Sequence, residues 1–287
     1  MKVKLLVLFL IISLFFYGCV KEQVRGSKDP LLKESKSTTL YPASDAENSG
    51  NWILKKDMSD EFEGNSIDSN KWYVSRADGE HEWTWNGRNP SQFVPENVIV
   101  EDGKLKLRTK WEPDYDFADG YYIYTTASVI SQKTLQYGYL EIKCKASDVS
   151  FTSSFWLKSK TAEVDIFEFV GDSKVFERFD RLFEFCIHNT ALRDETWKDS
   201  VTLPWRVASG FHTYGCEWDE TGIKFYADGK LVKDAPNEKT LNPITVPMYI
   251  WVDSEAFIWH GFPDKDELPA DYETEYIRIW QKQTAAE

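Results

Sequence analysis

"NVIVEDGKLKLRTK", residues 97–110, alternates apolar and polar positions on both sides of an Asp102-Gly103 pair. A period of two describes a strand with one buried face, and Asp-Gly readily supplies the two positive-φ residues of a tight hairpin. The stretch predicts two antiparallel strands joined by a two-residue turn. "GIKFYADGKLVKD" (222–234) repeats the device with Asp228-Gly229 at the turn. Working outward, "ASVISQ", "YGYLEIKCKA", "SFWLK", "AEVDIFEFV", "FHTYGCEWD", "MYIWVD" and "EYIRIWQK" read as further strands, with turn signals between them. Long amphipathic helices and fixed-period repeats are absent. The pattern predicts an all-β sandwich of two antiparallel sheets, and residues 50–287 suit one large domain of that kind.

The chain begins differently. Lys2 and Lys4 precede "LLVLFLIISLFF" (5–16), an apolar run too short to span a bilayer comfortably. The run ends at "FYGC", where small Gly18 stands before Cys19. This resembles a bacterial lipobox, which implies removal of residues 1–18 and a lipid on Cys19. Phe16 and Tyr17 are bulkier than that pattern usually has, and a plain secretory signal cleaved nearby is the alternative. Residues 19–49, polar and rich in Ser and Lys, read as a tether between lipid anchor and folded domain. The expected location is an exported bacterial lipoprotein at the outer membrane or cell surface, monomeric and held to the membrane by its N-terminal lipid.

Composition narrows the partners. A net charge of −13 argues against nucleic acid, which requires a basic face, and against loose capture of polyanions. The 12 Trp, 14 Tyr and 18 Phe supply flat rings suited to stacking on sugars. Cys144, Cys186 and Cys216 cannot all pair. They read as buried thiols, or as one disulfide and one thiol. No CxxC spacing or nearby His cluster predicts a metal site.

The chemistry concentrates in "TAEVDIFEFVGD" (161–172), an apolar strand carrying Glu163, Asp165 and Glu168. Strict alternation would put Glu163 and Asp165 on one face with Phe167, and Glu168 on the other. One extra residue in a β-bulge would bring Glu168 round to join the other two. Three carboxylates over an apolar core would then suit retaining glycoside hydrolysis, with one nucleophile and one acid/base. Acids are 47 of the 287 residues, so the bare spacing arises by chance about once in such a chain. On the residues alone, catalysis and the polar side of a half-exposed strand stand level.

A resemblance separates the two. "EVDIFE" is similar to the E-x-D-x-x-E signature of glycoside hydrolase family 16 in the bulged form shared by laminarinases, β-agarases, β-porphyranases and κ-carrageenases. "MSDEFEGNSIDSNKW" (58–72), "WTWNGRNPSQFVPENVIVEDGKLKLR" (83–108), "YTTASVISQKTLQYGYLEIKCK" (124–145), "FHTYGCEWDETGIKFYADGKLV" and "EYIRIWQ" resemble the family in order over residues 50–283. The resemblance implies a β-jelly-roll sandwich with an open cleft across its concave sheet. It implies Glu163 as nucleophile, Glu168 as acid/base and Asp165 as the assisting carboxylate between them. The expected reaction is endo-cleavage of a β-linkage with retention, through a glycosyl-enzyme intermediate.

The substrate rests on finer features. The "WPAxW" segment usual in laminarinases is absent, and "WNGR" (85–88) and "HNTALRD" (188–194) resemble the agarase and porphyranase branch. That implies β-1,4 cleavage of a red-algal galactan, agarose or porphyran. A β-1,3- or mixed-linkage glucanase and a noncatalytic carbohydrate-binding sandwich are the alternatives. Trp85 and Trp156 are the candidate stacking platforms, with Trp83, Trp251 and Trp259 in reserve. Arg88, His188 and Arg193 are the candidate partners of hydroxyls or a sulfate. A core histidine and a solvated arginine are the plainer readings of His188 and Arg193. No cofactor is required. The family resemblance leaves room for a structural calcium near Glu275, where many members have an Asp.

Overall fold

The structure, a computed structural model, describes residues 41–77, 81–189, 194–235 and 244–283. The signal (1–18), Cys19, most of the tether and Arg193 lie outside the described residues. Described residues form two sheets, with only four single-turn 3-10 helices beside them. The larger sheet runs β15 (Lys230–Asp234), β14 (Gly222–Ala227), β13 (His212–Asp219), β8 (Gly138–Lys145), β17 (Ala270–Lys282), β5 (Lys104–Trp111), β6 (Tyr124–Thr126), β3 (Gln92–Phe93). To this are added β1 (Trp52–Leu54) on β17 and β4 (Val98–Glu101) on β5. The smaller sheet runs β12 (Asp194–Thr202), β11 (Leu182–Asn189), β10 (Glu163–Phe169), β9 (Ser153–Lys158), β16 (Tyr249–Asp253), β7 (Ser128–Ser131), β2 (Trp72–Val74). All pairs are antiparallel except β3 with β6.

Both hairpins form where the sequence places them. Asp102 and Gly103 have φ of 52° and 66°, and Asp228 and Gly229 have 46° and 72°. These are the left-handed conformations that make a two-residue turn follow the strand twist. β4 pairs with β5 and β14 with β15 across them.

The core lies between the sheets. Val164, Ile166, Phe167 and Phe169 from β10 join one buried cluster with Leu140 and Ile142 from β8 and Ile277 and Ile279 from β17. Each such side chain contributes about 1.5–3 kcal/mol by leaving water. β10 therefore cannot rotate without exposing four core residues, and its acids are held on the face away from the larger sheet. Cys144, Cys186 and Cys216 are buried free thiols.

Residues 41–49, assigned to the tether by composition, are laid against the larger sheet. The Ala43 N–H donates to the Glu141 carboxylate at 2.8 Å, and Pro42 is buried. Among the described residues, the packed part of the chain accordingly begins ahead of residue 50. Glu275 is engaged by Lys143 at 2.8 Å on the same sheet.

Candidate active site

Three strand registers build the site. β10 pairs Glu163 with Lys158, Asp165 with Trp156 and Glu168 with Ser154 on β9, with the register shifting between Asp165 and Phe167. On its other edge β10 pairs Glu163 with His188 and Asp165 with Cys186 on β11. β9 in turn pairs Lys158 with Tyr249, Trp156 with Trp251 and Ser154 with Asp253 on β16. Three cross-strand rows result: Tyr249–Lys158–Glu163–His188, Trp251–Trp156–Asp165–Cys186, and Asp253–Ser154–Glu168. Strands lie about 4.8 Å apart, so side chains along each row meet. The bulge keeps Ile166 and Phe167 both in the core and returns Glu168 to the acid face.

The acids differ in their surroundings. Glu163 is ion-paired with Lys158. Asp165 is buried, and burial pushes its carboxyl up to about 6; the His188 hydrogen bond opposes that rise and the neighbouring Glu163 charge adds to it. His188 Nε2 lies 3.1 Å from Asp165 Oδ2 and 3.9 Å from Glu163 Oε1. Glu168 is held well above the usual carboxylate range, first by loss of solvation, then by the charges of Asp165, Glu255 and Asp253, against a smaller pull from Arg88. Closely spaced acids cannot all ionise, so these environments separate their protonation states.

Asp253 and Glu255 were not singled out in the sequence. Both are buried, at 1% and 3% exposure, at the end of β16 and just beyond it, with β9 between that strand and β10. Trp156 Nε1 donates to Asp253 Oδ2 at 2.8 Å, and Arg88 Nε donates to Glu255 Oε2 at 2.9 Å. Burial raises Asp253 well above its usual range. Burial likewise pushes Glu255 up to about 7, with Arg88 acting against the rise. The sequence signal was "WVDSE" (251–255), two acids at the end of an apolar strand, the same oddity that marked β10.

The aromatic candidates form one group. Trp156 sits 4.8 Å from Trp251, and Trp85 lies 6.4 Å from Trp156 and 6.3 Å from Trp251. Trp83 meets Trp251 edge-on at 6.0 Å. Trp251 is only 1% exposed, so it is the floor beneath the others and not a platform. Trp85 and Trp156 are half-buried. Gly87, at φ 108°, turns the loop that carries Trp85 and Arg88, and a Cβ there would stand 2.9 Å from the Ser91 carbonyl. The Arg88 guanidinium lies 4.8 Å from the Phe257 ring, 5.7 Å from exposed Trp259 and 6.0 Å from Trp85. Trp85, Arg88, Trp156 and His188 are thus gathered about the three acids, with His188 on the acids themselves. Arg193 lies outside the described residues.

The model of the family described as "Beta-porphyranase A-D, GH16 domain" matches residues 52–282. The chain belongs to glycoside hydrolase family 16. A family 16 relative, β-porphyranase E of Zobellia galactanivorans, is 30% identical over 257 residues, spanning 80% of this chain and 86% of the relative. The κ-carrageenase of Pseudoalteromonas carrageenovora is 28% identical over 270 residues, 80% of this chain and 65% of that one. The crystal structure of porphyranase B from Zobellia galactanivorans matches with a TM-score of 0.68 at 27% identity, covering 80% of this chain and 92% of that one. This family 16 protein is an O-glycosyl hydrolase, and a polysaccharide is its substrate.

Proposed function

We propose that the chain is an endo-acting, retaining hydrolase of β-1,4 linkages in a red-algal galactan, porphyran or agarose. The observation that carries the reading is the bulge in β10, which sets Glu163, Asp165 and Glu168 on one face. Glu163 attacks the anomeric carbon while Glu168, kept protonated by its surroundings, gives its proton to the departing glycosidic oxygen. The glycosyl ester on Glu163 is then hydrolysed by a water whose proton returns to Glu168. Asp165, hydrogen-bonded to His188, stands between the two glutamates on the same strand face and assists them.

Trp85 and Trp156 offer ring faces for sugar stacking, and Arg88 is the cation available to a sulfate among them. The matched porphyranase family and the porphyranase relatives support the galactan reading over a β-glucan. Cys19 would carry the lipid that holds the enzyme at the cell surface.

Release of reducing ends from porphyran, agarose, κ-carrageenan and laminarin tests the substrate, and the anomer of the first product, followed by NMR, tests retention. Glu163→Gln is expected to lose at least roughly a thousandfold in rate. Turnover of laminarin alone, or an inverted first product, would overturn the reading. Labelling of wild-type chain with a radioactive fatty acid, absent in Cys19→Ala, tests the anchor.

A further inference from the structure

We propose that Asp165, Cys186 and His188 form a site for a thiophilic divalent cation of the Zn2+ class, and that filling it arrests hydrolysis. Asp165 and Cys186 face one another across β10 and β11, and His188 follows Cys186 by two residues on the same strand face. One ligand atom from each lies within 4.8 Å of the other two. The three come from two paired strands and are fixed by their register, so no loop has to fold to assemble them.

The spacing suits tetrahedral coordination. Bonds of about 2.0 Å to nitrogen and oxygen place those two ligands about 3.3 Å apart. His188 Nε2 and Asp165 Oδ2 stand at 3.1 Å. A bond of about 2.3 Å to sulfur asks for a sulfur-to-nitrogen separation of about 3.5 Å, so from the observed limit of 4.8 Å the Cys186 thiol closes by about 1.3 Å at most. Thiol, imidazole and carboxylate together favour zinc or copper over magnesium or calcium, which take oxygen ligands.

Three protein ligands leave a fourth position, and Glu163 Oε1 is 3.9 Å from His188 Nε2, near enough to take it. Coordination would then hold both Asp165 and Glu163, the two carboxylates at the nucleophilic end of the acid row. The cation displaces the thiol proton to solvent on binding, so occupancy strengthens as pH rises. Cys186 itself is buried and free of any disulfide. The half-exposed His188 provides the approach from solvent.

The test uses the full chain, stripped with EDTA and titrated with ZnCl2 while hydrolysis is followed. Wild type is expected to be inhibited by zinc and restored by EDTA. Cys186→Ser, compared with its own metal-free rate, should require at least about tenfold more zinc for half-inhibition. In parallel, Co2+ added without polysaccharide should give thiolate-to-cobalt charge-transfer absorption in wild type and none in Cys186→Ser. This binding arm stands whether or not a galactan is the substrate. Equal zinc sensitivity of wild type and Cys186→Ser overturns the site, as does a wild type that shows neither inhibition nor the cobalt band. Cys186→Ala serves if the serine variant fails to fold.

Discussion

The Trp156 indole N–H donates to Asp253 at 2.8 Å, so a half-buried ring on β9 also holds a buried carboxylate of the next strand. After burial, and with Asp165 and Glu255, Asp253 is one of the charges that raise the Glu168 carboxyl. Trp156 is therefore linked to Glu168 through one hydrogen bond and the charge of Asp253.

Trp156→Phe keeps a ring but removes that donor. Without the bond Asp253 binds its proton more tightly, carries less charge, and Glu168 loses part of the repulsion that raises it. The basic limb of the pH–rate profile should move to lower pH. Because a hydrogen bond to a charged group contributes about 1.5–3 kcal/mol, kcat/KM should fall by roughly 10- to 100-fold. An unmoved basic limb would show that Asp253 does not reach Glu168.

Glu255→Gln should shift the same limb in the same direction. It removes a negative charge beside Glu168 and leaves the Arg88 cation unbalanced, and both changes ease ionisation of Glu168. A pH series on one soluble oligosaccharide reads the shift directly.

Arg88→Ala is expected to weaken hydrolysis of sulfated porphyran more than that of unsulfated agarose. Losing charge-assisted bonds to a sulfate costs about 1.5–3 kcal/mol, or roughly 10- to 100-fold in kcat/KM. Equal losses on both polymers would place the sulfate elsewhere.

Stability should fall as pH rises from 5 to 8. Glu255 and Glu141 are each pushed up to about 7 and Asp165 to about 6, burial being the first cause in all three. In this window the folded chain therefore binds more protons than the unfolded chain, and stability declines through the folded-state values. Surface carboxylates held low, such as Asp57 and Asp199, have already ionised in both states and do not offset this. A net change of a few kcal/mol would lower Tm by roughly 5–10 °C between pH 5 and 8. Glu141→Gln should flatten that slope without touching the acid row, because Glu141 lies on the other sheet beneath Ala43 and Tyr276. Calorimetry at several pH values checks both.

The hairpins and the acid strand were legible because their signals are local. Asp-Gly pairs state their own backbone conformation, and the position of Glu168 out of alternation required a bulge, which the register supplies. β11 carries the same kind of local signal, Phe183, Phe185 and Ile187 alternating cleanly with Glu184, Cys186 and His188, but nothing local says which strand it lies beside. Only the strand register sets His188 opposite Glu163 and Cys186 opposite Asp165. Asp253 and Glu255 were hidden for a different reason: they meet Glu168 only through strand order, β16 lying next to β9 in the sheet and far from it in the chain. Trp251 shows the limit of composition, since a ring that could stack on sugar is buried under two others that are half-exposed.

The bulge at Ile166 carries one more consequence. On either side of it β10 is read in opposite frames, odd positions acidic before it and an even position acidic after it. Substitution can tune this strand residue by residue, but the loss or gain of a single codon inside it would exchange what stands on the acid face for what faces the core. Length, as well as identity, is inherited here as part of the catalyst.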